Sequence, residues 1–289
     1  MSQCGSKFDH KWKTSTISLR YPRRIISEIP VLRSVSILVS YFLVICDKLN
    51  NLFSLSAVPE PVAFYPLNAC YKAAEKENRQ PRGTLRDVTI TNGTYNEAGG
   101  AYMFYGVASS NIEFPNKGGL DTRFSITLMC WVQPGSQDGP LFSYGVPYPY
   151  VSIEIEHGKL FNRILLISED ENFLMSLQAS TSEVLPAGKW AHVAASYDYS
   201  SGNNSLYING HLRASQKVDP GFTCRIANAS QRVRMGARNQ SNGYFKGKIA
   251  EMKVYDVALN GAQIQTSIRQ GSCTFFSKSF SHYPLQCFL

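Results

Sequence analysis

The amino-acid sequence predicts an all-β fold, a sandwich or barrel of antiparallel strands, over most of its 289 residues. From Val62 onwards, short apolar alternations are separated by Gly, Asn and Pro about every ten residues, which is typical of such folds. The strongest signal is a β-meander of two alternating runs, 189–198 and 206–210, the second of which ends in Asn209-Gly210. Asn-Gly predicts a type I′ hairpin turn, because both central residues need a positive φ.

The predicted strands are short, and no helix-period stretch of useful length interrupts them. They lie at 101–105, 109–114, 124–132, 150–155, 164–167, 173–178, 190–198, 206–210, 233–236 and 249–255. In 124–132, apolar residues occur on both faces, with Leu128 and Cys130 on one side and Met129 and Trp131 on the other. A strand that is apolar on both faces is covered on both sides, so this strand is predicted to be interior.

The end of the predicted domain combines a half-buried strand with a short helix. In the last strand, Glu251 and Lys253 share one face, which predicts an outer face in contact with water. Asn260 and Gln263 resemble a capping box at the start of a short helix that closes the domain. The tail, 271–289, follows neither period, and we expect it to be irregular.

Residues 1–60 are predicted to form a basic leader outside the β domain. Residues 1–33 contain seven Lys or Arg and two acidic residues, so they carry +5 of the net charge of +8. The uncharged run 35–46 suits a signal-peptide core and is short for a membrane span, which needs about 20 residues. Ser54, Ser56 and Ala57 provide the small side chains of a cleavage site.

Alternatives to a cleaved signal peptide stay open. Because 33 residues precede the run, a signal anchor that tethers the domain to the membrane, or a wrongly assigned first exon, also fits. A buried segment of a cytosolic protein is the remaining alternative. We favour export, with the β domain secreted or membrane-anchored outside the cell. No nucleic-acid partner is predicted, because the basic residues precede a hydrophobic run instead of covering one face of a folded domain.

Four sequons for N-glycosylation agree with export. They begin at Asn92, Asn203, Asn228 and Asn239, all in segments that we interpret as loops. Five cysteines follow the leader: Cys70, Cys130, Cys224, Cys273 and Cys287. Since the count is odd, at least one lacks a partner within the domain, and the pairing cannot be derived from spacing. The spacings match no zinc pattern, and Cys130 is predicted to be a core residue.

Several short motifs occur in a fixed order. They include Phe64-Tyr65-Pro66-Leu67, Ile112-Glu113-Phe114-Pro115-Asn116, Cys130-Trp131-Val132, Gly139-Pro140-Leu141-Phe142, Trp190-x-His192-Val193-Ala194, Ser196-Tyr197-Asp198, Leu206-Tyr207-Ile208-Asn209-Gly210, Met235-Gly236, Phe245-x-Gly247-x-Ile249 and Val254-Tyr255. Each motif alone is common. In their order and spacing, they resemble the laminin-G-like jelly-roll family within the concanavalin A-like lectin and glucanase superfamily.

The resemblance implies a two-sheet antiparallel jelly-roll sandwich over 61–270, preceded by the leader. It also implies that the loops and the concave face bind glycans or proteins, often with calcium as a cofactor. In the family, a carboxylate that helps to hold the ion commonly follows the Ile of the Phe-x-Gly-x-Ile segment. This chain has Ala250 there, with Glu251 next. Calcium needs about six to eight oxygen ligands, so Ala250 argues against the family's calcium site.

The candidate ligand-binding residues lie in an aromatic loop and a neighbouring rim. They are Asp138, Tyr144, Tyr148, Tyr150, Asn242 and Tyr244. Aromatic rings beside carboxylates and carboxamides suit a sugar, and they suit a protein hot spot equally well. Tyrosines that simply cover the end of the sandwich are the alternative.

Other polar residues have structural interpretations that we favour. Glu154 and Glu156 resemble the paired carboxylates of a retaining glycosidase, but a third acidic residue is missing, and a solvated strand face is expected. His192 is expected to be a hydrogen-bonded structural residue. Asp198 is expected to satisfy turn amides. Arg232, Arg234 and Arg238 form a basic strip that suits sulfated glycans or, more simply, a solvated sheet edge.

Three functions follow from this reading. We favour a non-enzymatic extracellular binding or adhesion module that recognises glycans, or matrix and cell-surface proteins, through jelly-roll loops. A glycan-cleaving enzyme on the same fold is the second, and a purely structural matrix protein is the third.

Overall fold

The computed structural model describes residues 58–145, 150–219, 224–227, 232–238 and 243–277. These residues form two antiparallel sheets packed face to face and one helix, so the predicted all-β sandwich is confirmed. The hydrophobic run 35–46 lies outside the described residues. Within them, the helix is too short and too polar to cross a membrane.

Sixteen strands and the helix make up the described part of the chain. In chain order they are β1 (Ala63–Tyr65), β2 (Thr84–Arg86), β3 (Thr89–Thr91), β4 (Ala101–Tyr105), β5 (Asn111–Phe114), β6 (Ile126–Gln137), β7 (Gly139–Tyr144), β8 (Val151–Glu156), β9 (Lys159–Ser168), β10 (Leu174–Val184), β11 (Ala191–Asp198), β12 (Asn203–Ile208), β13 (His211–Lys217), β14 (Cys224–Ile226), β15 (Val233–Met235), β16 (Lys246–Tyr255) and α1 (Gly261–Ser277). We call the two sheets the first and second sheet.

The first sheet has the strand order β13-β12-β11-β6-β16-β4-β3, with β1 paired to β16. The second sheet has the order β10-β9-β8-β7-β15-β5-β2, with β14 paired to β9. Every strand pair in both sheets is antiparallel. The inner faces of the two sheets enclose the main hydrophobic core.

Strand β6 is interior, as its apolar pattern predicts, because it pairs with β11 on one side and β16 on the other. Leu128 and Cys130 lie in the core between the sheets, and burial raises the pKa of the Cys130 thiol to about 12. Met129 lies on the opposite face, in a second hydrophobic cluster beneath the helix. Phe124, by contrast, precedes the strand and is 53% exposed.

The predicted meander is formed by β11, β12 and β13. Asn209 and Gly210 have φ of +52° and +76°, as the type I′ turn between β12 and β13 requires. The backbone N–H of His192 donates to Asn209 Oδ1 at 2.9 Å, and the N–H of Asn209 donates to the His192 carbonyl at 2.7 Å. The turn is thereby fixed to β11.

Strand β16 departs from regular alternation. Its register with β6 shifts between Ala250 and Lys253, and Glu251 has φ of +51°, so the strand carries a β-bulge. Lys253 is 6% exposed and Tyr255 is 2% exposed. The predicted water-exposed outer face of this strand is therefore wrong, because α1 covers it.

Helix α1 begins with the predicted capping box. Asn260 N–H donates to Gln263 Oε1 and Gln263 N–H donates to Asn260 Oδ1, each at 3.0 Å. Ile264 is buried in the cluster with Met129, and Ile268 packs against it. The helix continues to Ser277, so the irregular tail predicted from residue 271 begins too early. Gly and Ser are poor helix formers, and the sequence Gly271-Ser272 therefore resembles a helix end.

Candidate functional site

The predicted aromatic loop is partly a core strand. Tyr144 belongs to β7, is fully buried, and lies edge-on to Phe142 with ring centroids 5.8 Å apart. Burial raises the pKa of the Tyr144 hydroxyl well above its usual range. The ligand-binding role predicted for Tyr144 is therefore wrong. The error has a clear source, because Gly139-Pro140 and Gly145 flank the strand and resemble turn residues.

Three other candidates of this loop and rim are among the described residues. Asp138 is exposed, and its carboxylate accepts a hydrogen bond from the Gly158 N–H at 2.8 Å, which ties the β6–β7 turn to the β8–β9 turn. Tyr150 and Tyr244 are half-buried, and Tyr244 forms an isolated β-bridge with Ala237. Their ligand-binding role stays a prediction. Tyr148 and Asn242 lie outside the described residues.

Two of the four sequons can be placed. Asn92 is exposed in a loop, where its Nδ2 donates to Asn96 Oδ1 at 2.9 Å. Asn203 is half-buried and is the first residue of β12, paired with Asp198 and Lys217. Its predicted position in a loop is wrong. Asn228 and Asn239 lie outside the described residues.

Glu154 does not lie on a solvated strand face, contrary to expectation. It is 5% exposed, accepts a hydrogen bond from Ser152 Oγ at 3.0 Å, and forms an ion pair with Arg238. Glu156, two residues later, is exposed at the end of β8. Glu154 is thus a buried, charge-compensated carboxylate on the outer face of the second sheet.

The outer face of the second sheet carries a continuous row of polar side chains. Strand pairing places the following residues side by side across seven strands: Gln178, Arg163, Ser152, Ser143, Arg234, Glu113 and Thr84. Their sequence neighbours on the inner face, such as Ile112, Phe142 and Ile164, belong to the hydrophobic core. We call this row, together with Glu154, Arg232 and Arg238, the arginine face.

Glu113 anchors one end of the arginine face. It forms ion pairs with Arg234 at 2.5 Å and with Arg232 at 3.5 Å. The hydrogen bond from Arg234 holds the pKa of the Glu113 carboxyl below its usual range. The side chain of Arg234 is 12% exposed, whereas that of Arg232 is 77% exposed. Glu113 therefore fixes one guanidinium group against the sheet and leaves the other in solvent.

Arg163 and Arg238 line the other half of the face. Arg163 is half-buried and lies over the Phe161 ring, with its guanidinium carbon 5.9 Å from the ring centroid. Its Nε–H is buried and has no hydrogen-bond partner among the described residues. The same is true of the Nε–H of Arg238, whose pKa is lowered by desolvation. Arg163 forms no ion pair with a described carboxylate, so its charge is uncompensated.

The arginine face can bind an anion. It holds four guanidinium groups and two carboxylates, which leaves an excess of two positive charges. Guanidinium forks bind carboxylates, sulfates and phosphates with two parallel hydrogen bonds. The expectation that Arg232, Arg234 and Arg238 lie on a solvated sheet edge is wrong, because β15 lies between β7 and β5.

Sequence reasoning found part of this face and missed the rest. Arg163 was missed because the strand predicted at 164–167 begins one residue after it, whereas β9 spans Lys159–Ser168. Glu113 lies between Ile112 and Phe114 in a predicted strand, and that alternation is the signal that could have placed it on the outer face.

Asp198 and His192 lie away from the arginine face, the first in a turn and the second packed against Trp131. Asp198 accepts hydrogen bonds from the Ser200 N–H at 3.1 Å and from Ser201 Oγ at 2.7 Å, which is the predicted turn role. The His192 ring lies edge-on to Trp131, with centroids 5.3 Å apart, and its Nδ1 has no hydrogen-bond partner among the described residues. Burial, with a contribution from Lys253, lowers the pKa of His192 to about 3.

The family model described as the concanavalin A-like lectin/glucanases superfamily, of laminin G type, matches residues 106–265, more than half of the chain. The chain belongs to this superfamily. The match includes β5 to β16 and most of the arginine face, so most of the face lies within the part of the chain that the laminin-G-like family model matches.

Relatives with curated descriptions and solved structures agree with this membership. The laminin-G-like chain is 28% identical over 142 residues to the mouse pentraxin-related protein PTX3, covering 46% of this chain and 35% of that protein. The chain thus spans about a third of the length of this relative.

Among solved structures, it is similar to domain 4 of AbnA, an extracellular arabinanase from Geobacillus stearothermophilus, in complex with arabinotriose. The TM-score is 0.54 at 22% identity, over 72% of this chain and 97% of that one. It is also similar to the binding domain of botulinum neurotoxin serotype G, with a TM-score of 0.56 at 15% identity, over 74% and 52% of the two chains. The binding domain of Paraclostridial Mosquitocidal Protein 1 is similar with a TM-score of 0.52 at 14% identity, over 68% of this chain and 48% of that one. At these identities, the likeness concerns the fold.

The family's calcium position holds a side chain that cannot ligate a metal. Ala250 is 2% exposed and pairs with Trp131 of β6. Within the described ranges, no three His, Cys, Asp or Glu side chains are grouped as metal ligands. These residues do not fit the family's site, and no step of the proposed function below requires calcium.

Proposed function

We propose that this protein is a non-enzymatic binding module that recognises acidic glycans, sulfated or uronic-acid-rich, through the arginine face. The observation that carries the proposal is the polar row in which Arg163 and Arg234 lie three strands apart on the outer face of the second sheet. At about 4.8 Å per strand, their backbones are roughly 14 Å apart. An extended polyanion that crosses the strands would meet Arg163 at one end of this stretch and the exposed Arg232, beside Arg234, at the other.

The chemistry of the row supports an anionic sugar more than a neutral one. Ser143 and Ser152, between the two arginines, are each 1% exposed and hydrogen-bonded within the protein, so the groups of the row that are left to bind a ligand are guanidinium groups, which favour an anion. The guanidinium group of Arg163 has no carboxylate partner among the described residues, so a ligand sulfate or carboxylate would supply the missing charge.

The similar proteins support a binding role in general terms. Two of them are binding domains of toxins, and one is a domain seen in complex with a trisaccharide. A role in adhesion at the cell surface or in the matrix follows if the acidic glycan is attached to a neighbouring cell or matrix protein.

We propose that the arginine face does not catalyse glycan cleavage. A retaining glycosidase needs a free nucleophilic carboxylate about 5 to 5.5 Å from an acid. Glu154 is neutralised by Arg238, and this pairing opposes both roles. Incubation with a panel of polysaccharides is expected to release no product. Product release that Glu154→Gln abolishes would instead establish the enzyme.

Binding is tested with the full chain on an array of sulfated, uronic-acid and neutral glycans. We expect binding to acidic glycans that weakens as salt rises, because added ions screen exposed charges. Arg163→Gln removes one charge-assisted contact and is expected to lower the affinity about tenfold. Arg213→Gln is the control for loss of a positive charge elsewhere, since Arg213 is exposed and pairs with Glu183 away from the row.

Equal binding of neutral and acidic glycans, or equal losses in the two arginine variants, would contradict the proposal. An array that is silent both with and without calcium would favour a structural matrix protein.

We also propose that the domain is exported. The exposed loop position of Asn92 is accessible to a glycan, which supports this proposal. Expression in animal cells with a C-terminal tag should give a product whose electrophoretic mobility changes after enzymatic removal of glycans. If Asn92 is the main glycosylation site, this change in mobility should be absent in Asn92→Gln. An unglycosylated product confined to the cytosol would contradict export.

A further inference from the structure

A small cavity lies on the opposite side of the molecule from the arginine face, where the chain enters the domain. It has a volume of about 180 Å³ and lies between residues 58–61, the outer face of the first sheet and helix α1. Its lining includes Val58, Glu60, Phe64, Lys253 and Tyr255. The cavity is partly open to solvent and is lined by both apolar and charged side chains.

Lys253 is the charged group at the floor of this cavity. It is 6% exposed. Its Nζ donates to the Ser267 carbonyl oxygen at 3.2 Å and to Ser267 Oγ at 3.0 Å, and it lies 5.0 Å from the centroid of the Phe64 ring. An ammonium group has three donors, so these bonds leave one N–H for the cavity. Lys253 forms no ion pair with any described carboxylate.

The other cations of the cavity have acidic partners. Lys76 lies 3.6 Å from a Glu77 oxygen, and Arg79 pairs with the buried Glu75 at 3.4 Å. Lys76 is also within 5.6 Å of the Phe64 ring centroid, so two ammonium groups approach the same ring. Lys253 is thus the lining cation that is both buried and without an anionic partner among the described residues.

A buried charge without a counter-ion is costly, and a bound anion would remove that cost. Desolvation is the main cause that lowers the pKa of Lys253, and Lys76 adds to it, whereas Glu251 and Glu60 raise that pKa. Glu251 is half-buried, desolvation raises the pKa of its carboxyl, and it forms no ion pair with Lys253. Glu60 is exposed at the rim.

We propose that this cavity binds a small organic monocarboxylate, with the carboxylate on Lys253 Nζ and the apolar body against Phe64, Tyr255 and the neighbouring prolines. The size fits, because an apolar cavity of about 150 Å³ accommodates benzene. The lining is largely polar, with an apolar side formed by Phe64, Tyr255 and the prolines, so it suits a ligand that has one charged end and one small apolar end. This site shares no residue with the arginine face, so a negative result for one binding site leaves the proposal for the other unaffected.

The test uses benzoate as the probe and benzamide as its uncharged control, with the full chain in an isothermal titration. We expect benzoate to bind at least tenfold more tightly than benzamide. As the pH of the titration is raised towards the pKa of Lys253, binding should also take up protons, measured as a dependence of the heat on the buffer, because the anion raises that pKa. Equal binding of the two probes, or no benzoate binding at millimolar concentrations, would overturn the proposal.

Lys253→Met is expected to abolish the preference for benzoate, whereas Lys217→Met, at an exposed position on β13, should leave it unchanged. If Lys253→Met does not fold, wild-type protein answers the same question by reductive methylation with peptide mass spectrometry. Benzoate should slow methylation of Lys253 several-fold and benzamide should not, with Lys217 as the internal reference. Unchanged methylation of Lys253 in benzoate would contradict binding at this site.

Discussion

Asn162 of β9 and Asn204 of β12 exchange two hydrogen bonds in the interior, between the two sheets. Asn162 Nδ2 donates to Asn204 Oδ1 at 2.6 Å, and Asn204 Nδ2 donates to Asn162 Oδ1 at 3.1 Å. The side chains are 1% and 0% exposed. This amide pair is a polar link between strands of opposite sheets in an otherwise apolar core, so it fixes how the sheets lie on each other.

Because the two amides pair with each other, we expect each single truncation to lower the free energy of unfolding by more than half of the loss in the double variant. Asn162→Ala leaves the buried Asn204 amide unpaired and should lower the free energy of unfolding by about 3 kcal/mol. In Asn162→Ala/Asn204→Ala, no orphaned amide remains, so the loss should be smaller than the sum of the single losses. Urea unfolding of the three variants measures this coupling, and strictly additive losses would show that the pair makes no specific link.

Because the pKa of His192 is lowered in the folded protein, we expect the domain to lose stability in mild acid. This pKa falls from 6.5 to about 3 on folding, so the unfolded chain binds a proton below pH 6.5 that the folded chain does not. The stabilisation is complete above pH 6.5 and is lost progressively as the pH falls towards 3. At pH 5 the loss attributable to His192 is about 2 kcal/mol.

The measurement is urea unfolding at pH 7.5 and pH 5.0 for the wild type and for His192→Gln. The variant is expected to lose less stability between the two pH values, since Gln does not titrate. Comparing the two proteins cancels the contribution of other groups, such as Glu251, whose raised pKa acts in the opposite direction. An identical pH dependence of both proteins would show that His192 is not the group responsible.

We expect the isosteric substitution Glu75→Gln to lower the stability of the domain strongly. The Glu75 carboxylate is 1% exposed and accepts hydrogen bonds from the backbone N–H groups of Phe64 at 3.0 Å, Glu77 at 3.0 Å and Arg79 at 2.8 Å. Glu75→Gln turns one acceptor into a donor that faces another donor, and we expect a loss of about 3 kcal/mol in the free energy of unfolding.

Glu77→Gln is the control, because the Glu77 side chain is 55% exposed. It should change stability by less than about 0.5 kcal/mol. Similar losses in Glu75→Gln and Glu77→Gln in thermal or urea unfolding would mean that the hydrogen bonds to Glu75 contribute little.

The sequence predicts those features of the fold that follow from local period and turn chemistry. The Asn209-Gly210 turn, the interior strand β6 and the Asn260–Gln263 cap are examples, since each depends on residues a few positions apart. The burial of Lys253 could not be predicted: Lys253 and Tyr255 lie on the outer face, as the alternation predicts, but α1 packs over that face and covers them.

The candidate site depends on pairing between distant strands, which the sequence does not encode locally. Arg163 and Arg234 become members of one row only when β9, β8, β7 and β15 are placed next to each other in the observed register. The basic strip of Arg232, Arg234 and Arg238 was visible in the sequence, but the position of Arg163 in the same row was not.

Ala250 supplies the last prediction, which concerns calcium. The side chain is 2% exposed and lies beside a bulge, opposite Trp131, so a carboxylate at this position would be buried without the ligand set that calcium needs. Ala250→Asp is therefore expected to lower the melting temperature, by the equivalent of about 3 kcal/mol for an unpaired buried charge. The loss should be the same in calcium and in EDTA, and glycan binding by the wild type should also be unaffected by EDTA. Recovery of stability in Ala250→Asp on addition of calcium would show instead that the remaining ligands of the family's site are in place and that the chain lacks only this one carboxylate.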